Sequence, residues 1–215
     1  STLKLNRLNE KELRNIRGRH ISMIFQEPMT SLNPGLRCGL QLTEVLRRHF
    51  AGSGMDFRRE ALYWFGEVRL PSPERIFRSY PHELSGGQRQ RVMIAMALCT
   101  KPAVLVADEP TTALDVTIQR SIIRLLKDLQ EKYGISILFI THDLALIGEL
   151  AHRIIVMQQG RVAEQGVAGR ILKRPGHPYT KGLLNCRPVF SSRPVRLPTV
   201  REFLEKGKTE TKETD

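Results

Sequence analysis

Two short apolar runs rich in β-branched residues, Ala103–Ala107 (AVLVA) and Ile135–Ile140 (ISILFI), set the strongest limit on what this chain can fold into. A strand covered on both faces reads as near-continuous hydrophobic text rather than as an alternating pattern. Between the two runs, residues 117–133 carry Ile118, Ile122, Leu125, Leu126 and Leu129 on one helical face, and Gly134 stops the pattern. Strand, helix and strand at this spacing form the unit that links neighbouring parallel strands. The expected class is therefore α/β with a parallel sheet.

The remaining text arranges itself around that unit. Ile21–Phe25 (ISMIF) reads as a further short strand, preceded by a helix-like stretch from Glu10 to Arg19 and followed by a loop with two prolines, QEPMTSLNPG. From about Leu36 to Leu98 apolar residues recur at helical spacing, as in LQLTEVLRRHF and FRREALYWFGEV. A short helix is expected over 143–150, and RIIVMQQGRVAEQG reads as a hairpin turning at Gln159-Gly160. A small helical extension follows Gly166, and the charged tail KGKTETKETD has the composition of a disordered segment.

Composition narrows the class of partner only slightly. With 40% hydrophobic and 26% charged residues among 215, the chain is of ordinary globular make-up. No run of 18 apolar residues is present to span a membrane, and no apolar segment near Ser1 resembles a secretory signal. Three scattered cysteines, with no CxxC pair, suggest neither a disulfide framework nor a zinc site. The net charge of +12 fits nucleic acid and an anionic membrane face equally. The basic residues are mixed with acids and lack interleaved aromatics, so charge alone decides nothing.

Chemistry-bearing residues lie where such sheets hold ligands, at the carboxyl ends of strands. Asp108-Glu109 follows the first apolar run and Thr141-His142 the second. A carboxylate there suits Mg²⁺ beside a triphosphate, and a second can polarise a water as a general base. Taken alone, a DEP triplet is as readily the start of a turn, and a single histidine a structural one. In HELSGGQRQRV, Ser85 is a good N-cap, and Gly86 and Gly87 leave the first amides of a helix unshielded, an arrangement suited to an anion. A glycine-rich turn without a ligand is the plain alternative.

Order and spacing lift these fragments together. FQEP, LSGGQ, an apolar strand running into DEP, then TALD and THD resemble the ATP-binding cassette (ABC) family of ATPases over residues 17–166. The resemblance implies a P-loop NTPase-like, RecA-like α/β core with an inserted α-helical subdomain, and ATP and Mg²⁺ as substrate and cofactor. It implies that Gln26 senses Mg²⁺ and takes part in catalysis, and that Asp108 holds the metal. Glu109 is then the catalytic base and His142 the switch residue near the γ-phosphate. Leu84, Ser85, Gly86, Gly87 and Gln88 form the signature that meets nucleotide in trans, and Asp115 belongs to the D-loop at a dimer seam. The flanks LRNIRGRHISMIFQEPMTSLNP and RPGHPYTKGLL are similar to the oligopeptide/dipeptide importer branch, whose relatives import peptides, nickel or glutathione. That similarity implies a second cassette in a head-to-tail dimer, transmembrane permease subunits and a periplasmic solute-binding protein. It also implies a peripheral place on the cytoplasmic face of the membrane. Soluble cassette ATPases acting on nucleic acid or ribosomes are the alternative, but their long insertions and basic linkers have no counterpart here, so no nucleic-acid partner is expected.

One part of the family pattern is not found in these 215 residues. The P-loop GxxxxGK[ST] is absent; Gly207-Lys208-Thr209 lacks its leading glycine, since Glu202 stands there, and no strand precedes it. The first residue is not Met. The expectation is a chain that begins partway through a longer protein, with the first strands, the P-loop and its helix lying upstream. A subunit lacking the loop by nature, or a domain without a nucleotide role, are the other readings. On any of them the isolated chain is expected not to hydrolyse ATP, and truncation would leave sheet surface bare and stability low. The expected division is residues 1–35 as core remnant, 36–100 as helical subdomain, 101–166 as core, and 167–215 as extension and tail.

Overall fold

A computed structural model of the protein describes residues 4–26, 31–112, 114–148 and 150–185. Its first unit, residues 1–142, is built on a three-stranded parallel sheet. Strand β1 (Ile21–Ile24) pairs with β2 (Val104–Asp108), which pairs with β3 (Ser136–Ile140). Between β1 and β2 run helices α2 (Cys38–Phe50), α3 (Phe57–Glu67), α4 (Pro73–Arg78) and α5 (Gly86–Leu98); α6 (Val116–Tyr133) joins β2 to β3. A short helix α1 (Glu10–Ile16) precedes the sheet, closed by a capping box between Asn9 and Glu12.

Several helices begin where the sequence supplies an acceptor or a fixed φ. Asp56 accepts from the Arg58 and Arg59 amides to start α3, and Pro73 opens α4. Asp115 accepts from the Ile118 amide at 2.9 Å to start α6, and Gly134 ends it with a left-handed φ of +64°. The loop before α2 is held by the buried Gln41, whose side chain accepts from the Asn33 amide and donates to the Asn33 and Leu36 carbonyls.

Strand order β1-β2-β3 with every strand parallel puts both right-handed crossovers on one side of the sheet. The face carrying Ser22, Ile24, Leu105, Ala107, Ile137 and Phe139 therefore meets the helices, and Ile24 and Leu105 are fully buried. The opposite face is open among the described residues: Met23, Leu138 and Ile140 are 40%, 54% and 44% exposed. This corrects the expectation that both apolar runs are buried on two faces. The runs keep the composition of a doubly covered sheet, but one helical layer covers one face only.

The helices also lock to one another through polar side chains. Trp64 of α3 is fully buried, tilted over the Tyr133 ring of α6 at 5.1 Å between centroids. The Tyr133 hydroxyl donates to Glu67 at 2.7 Å, so Tyr63 is the donor in the 2.9 Å contact between the two tyrosines. Lys132 reaches both Glu67 oxygens at 2.6–2.7 Å. Burial pushes the Glu67 carboxyl up, but these donors overcome it and hold it below its ordinary value. Arg69 pairs with Asp128, and Arg91 donates to the Val68 carbonyl and the Ser121 hydroxyl.

The second unit, from residue 143 on, has its own small core. It contains α7 (Leu144–Ile147), the antiparallel pair β4 (Arg153–Gln158) and β5 (Arg161–Val167), α8 (Ala168–Lys173) and α9 (Pro178–Asn185). Gln159 and Gly160 both take positive φ, +50° and +75°, as a two-residue hairpin turn requires. Ile154, Val156, Ala168 and Ile171 are buried together. Glu164 accepts from the Gly176 and His177 amides, which seats the start of the HPYT segment. The charged tail lies outside the described residues. Replacing the buried indole by Trp64→Ala should lower stability by about 3–5 kcal/mol, read as a lower urea midpoint.

Candidate active site at the strand ends

The register of the sheet sets level the two ends that carry chemistry. Asp108 pairs with Ile140, so the next residues, Glu109 and the Thr141-His142 pair, leave the sheet side by side. The Glu109 amide donates to the Ile140 carbonyl at 3.0 Å and continues the pairing by one step. Glu109 itself takes φ = +44°, rare for a non-glycine residue, which turns its side chain away from the strand path.

Three side chains meet the Glu109 carboxylate there. His142 Nδ1 lies 2.9 Å from Oε1, and Gln26 Nε2 donates to Oε2 at 2.9 Å across 83 positions of sequence. Thr112 Oγ1 donates to the same Oε2 at 2.9 Å. Thr112 is the contact that sequence reasoning missed; its only signal was a hydroxyl three residues after a carboxylate. Donation by His142 and Thr112 holds the carboxyl below its ordinary value of 4.5, against a smaller opposing effect of burial. An ionised carboxylate only accepts, so the His142 proton on this side sits on Nδ1. Asp108, at the end of β2, is half-buried. Among the described residues no group of three His, Cys, Asp or Glu could hold a metal by itself. Asp108 nonetheless fits Mg²⁺, which is usually bound through one or two carboxylates with water and substrate phosphates completing its shell.

The signature stretch starts α5 as expected, with additions. Ser85 Oγ accepts from the Gln88 amide and Gln88 Oε1 accepts from the Ser85 amide, a complete capping box. The Gly86 and Gly87 amides stand at the first two helical positions, which have no intrahelical acceptor. The glycine pair also has a packing reason. A Cβ on Gly87 would lie 2.9 Å from Ile118 Cγ2 of α6, and one on Gly86 would lie 3.2 Å from Leu114 Cδ2. Leu84 is buried in the core at 4% exposure, so its side chain anchors the loop rather than facing a ligand. The Asp115 carboxylate is engaged as the cap of α6, and Ala113 lies outside the described residues.

A parallel sheet whose strand ends gather Asp108, Glu109, Gln26 and His142, beside a glycine-started helix, defines a nucleotide-type α/β cassette. A family profile described as ABC transporter matches residues 2–112, and the chain belongs to that family. It is 51% identical over 185 residues to the oligopeptide transport ATP-binding protein OppD of Bacillus subtilis, covering 86% of this chain and 52% of the relative. It is 50% identical over 193 residues to the dipeptide transport ATP-binding protein DppD of Escherichia coli, covering 90% and 59%. Against the glutathione import ATP-binding protein GsiA of Escherichia coli the identity is 49%, covering 86% and 30%. The chain thus spans between half and three-fifths of the length of the first two. Its fold is that of the cassette: the dimeric, post-hydrolysis structure of the ATP-binding cassette MJ0796 bound to ADP and Pi matches with a TM-score of 0.68 at 34% identity. That match covers 77% of this chain and 70% of the other.

Two outcomes check this geometry. Because the folded Glu109 binds its proton more weakly than the unfolded chain does, its contribution to stability is complete above the ordinary value and is lost as pH falls through the lower, folded one. A carboxyl ¹³C NMR titration should place its midpoint below 4.5, and His142→Ala should raise it. Gly87→Ala should cost about 1–3 kcal/mol by overpacking, and a thermal melt should show a smaller cost in an Ile118→Ala background, which lacks the Cγ2 that the new methyl meets.

Proposed function

We propose that this chain is the ATP-hydrolysing subunit, or a large part of it, of an importer for peptides or a related small solute such as glutathione or nickel. The observation that carries the reading is the meeting of Gln26, Thr112 and His142 on Glu109, at the level where β2 ends in Asp108. The names of the similar proteins, oligopeptide, dipeptide and glutathione ATP-binding proteins, support the solute class.

In this reading Glu109 accepts the proton of a water attacking the terminal phosphate, which its ionised state permits. His142 holds the base carboxylate through Nδ1 and serves as the switch residue near the terminal phosphate. Bound Mg²⁺ supplies neutralisation of charge on the phosphate oxygens, with Asp108 and Gln26 as the residues that hold it. Gly86 and Gly87 present their amides, on the turn capped by Ser85 and Gln88, to ATP held by a second cassette, and Asp115 lies at that seam. Dimeric packing of the similar MJ0796 cassette supports such a pairing. No described helix is long and apolar enough to cross a membrane. The subunit works from the cytoplasmic face of the membrane through separate permease subunits, fed by a solute-binding protein. Residues 36–100 act as the helical subdomain, 101–166 as core and 167–215 as extension.

The 215 residues contain no GxxxxGK[ST] loop, so this stretch by itself turns over no ATP. Complemented by the loop-bearing first segment of a similar cassette, so that loop and Glu109 share one site, it gains turnover that falls at least about a hundredfold in Glu109→Gln, measured as phosphate release. Turnover by the isolated chain that vanishes in Glu109→Gln overturns the need for a loop from elsewhere. Absence of any Glu109-dependent turnover in the complemented chain overturns the ATPase reading.

A further inference from the structure

The contacts on Glu109 are unequally divided between its two oxygens. Oε2 accepts from both Gln26 Nε2 and Thr112 Oγ1, each at 2.9 Å, whereas among the described residues Oε1 meets only His142 Nδ1. An ionised carboxylate oxygen has about two lone-pair sites. Oε2 is therefore filled, and Oε1 keeps one site open. A base that must take a proton from water can do so only through Oε1, the oxygen beside His142.

The Thr112 contact is built into the turn rather than added to it. The Thr112 amide donates to the Glu109 carbonyl at 3.1 Å, while its hydroxyl donates to the carboxylate of the same residue. One residue thus grips both the backbone and the side chain of Glu109, at the point where φ is +44°. The turn is fixed to α6 in its own right. Thr111 is buried, and its carbonyl accepts from Gln119 Nε2 at 3.0 Å. A hydroxyl that merely capped the turn would bond backbone; this one bonds the side-chain carboxylate, at the oxygen Gln26 also holds.

We propose that Thr112 is a positioning residue for the reaction assigned to Glu109: with Gln26 it occupies Oε2 and leaves Oε1 as the proton-accepting oxygen. The proposal rests on the reading of Glu109 as a general base. It gives the second threonine of DEPTTALD a task that a hydroxyl performs and an isosteric methyl does not.

The test compares the 215-residue chain with Thr112→Ser and Thr112→Val at one neutral pH, using ¹³C-carboxyl-labelled glutamate and NMR. In the unchanged chain the Thr112 hydroxyl proton should be protected from exchange and show a contact to the Glu109 γ-methylene. Thr112→Ser should keep the Glu109 carboxyl resonance, and Thr112→Val should move it towards that of a free glutamate side chain, with the amide spectrum of α2–α4 unaltered. In the chain complemented by a loop-bearing first segment, Thr112→Val should lower kcat about tenfold at constant KM, and Thr112→Ser should restore it. A Glu109 resonance indifferent to Thr112→Val, or equally displaced by Thr112→Ser, overturns the proposal. Should Thr112→Val fail to fold, an unprotected hydroxyl in the unchanged chain is sufficient to overturn it. A hydroxyl-dependent Glu109 signal without any Glu109-dependent turnover upholds the clamp and overturns the ATPase reading instead.

Discussion

The hydrogen bond from the Glu109 amide to the Ile140 carbonyl is the contact on which the site depends. It extends the β2–β3 ladder one residue beyond the last strand pair, and so fixes the distance between the two segments that carry Glu109 and His142. Everything upstream serves that alignment. The parallel register sets Asp108 level with Ile140, and α6 returns the chain from one strand end to the start of the next. The left-handed conformation of Glu109 is unfavourable by itself, on the order of 1–3 kcal/mol. It is sustained by the ladder on one side and by the Thr112 turn on the other.

The helical part is fastened to the same framework by means other than apolar packing alone. Glu67 is the pivot, accepting from Tyr133 and from Lys132, with Tyr63 completing the chain of hydroxyls. A carboxylate held ionised between Lys132 and Tyr133 binds α3 to α6 in one relative rotation, because each bond has a preferred direction. Apolar contact, as between Trp64 and the Tyr133 ring, supplies attraction with less preference for angle. The combination gives both strength and orientation.

Much of this was legible in the sequence, because period and caps are local. The apolar face of α6 named from spacing is the face that is buried, apart from the half-buried Ile118, and Ser85, Gly134 and the Gln159-Gly160 turn do what their residue types suggest. The motif order brought Gln26, Glu109 and His142 together as candidates, and the fold places them in contact. What escaped was set by tertiary proximity. Nothing local says that Thr112 reaches a carboxylate rather than a backbone amide, since that follows from the φ of Glu109. Gly87 looked like a bare amide for an anion, and its close approach to Ile118 becomes visible only once α5 and α6 are packed. The apolar strands misled for the same reason: composition records the environment a strand is suited to, not how many layers stand over it.

The approach of Gly87 to Ile118 has a mechanical consequence. Ile118 gives its amide to Asp115, and Leu114 lies against Gly86, so the start of α5 and the start of α6 share one contact surface. Only the Ile118 and Leu114 side chains stand between the two helix origins, and little slack separates them. Ser85–Gln88 and Asp115 are in effect two teeth on one gear. A displacement imposed on either presses on the other through that contact.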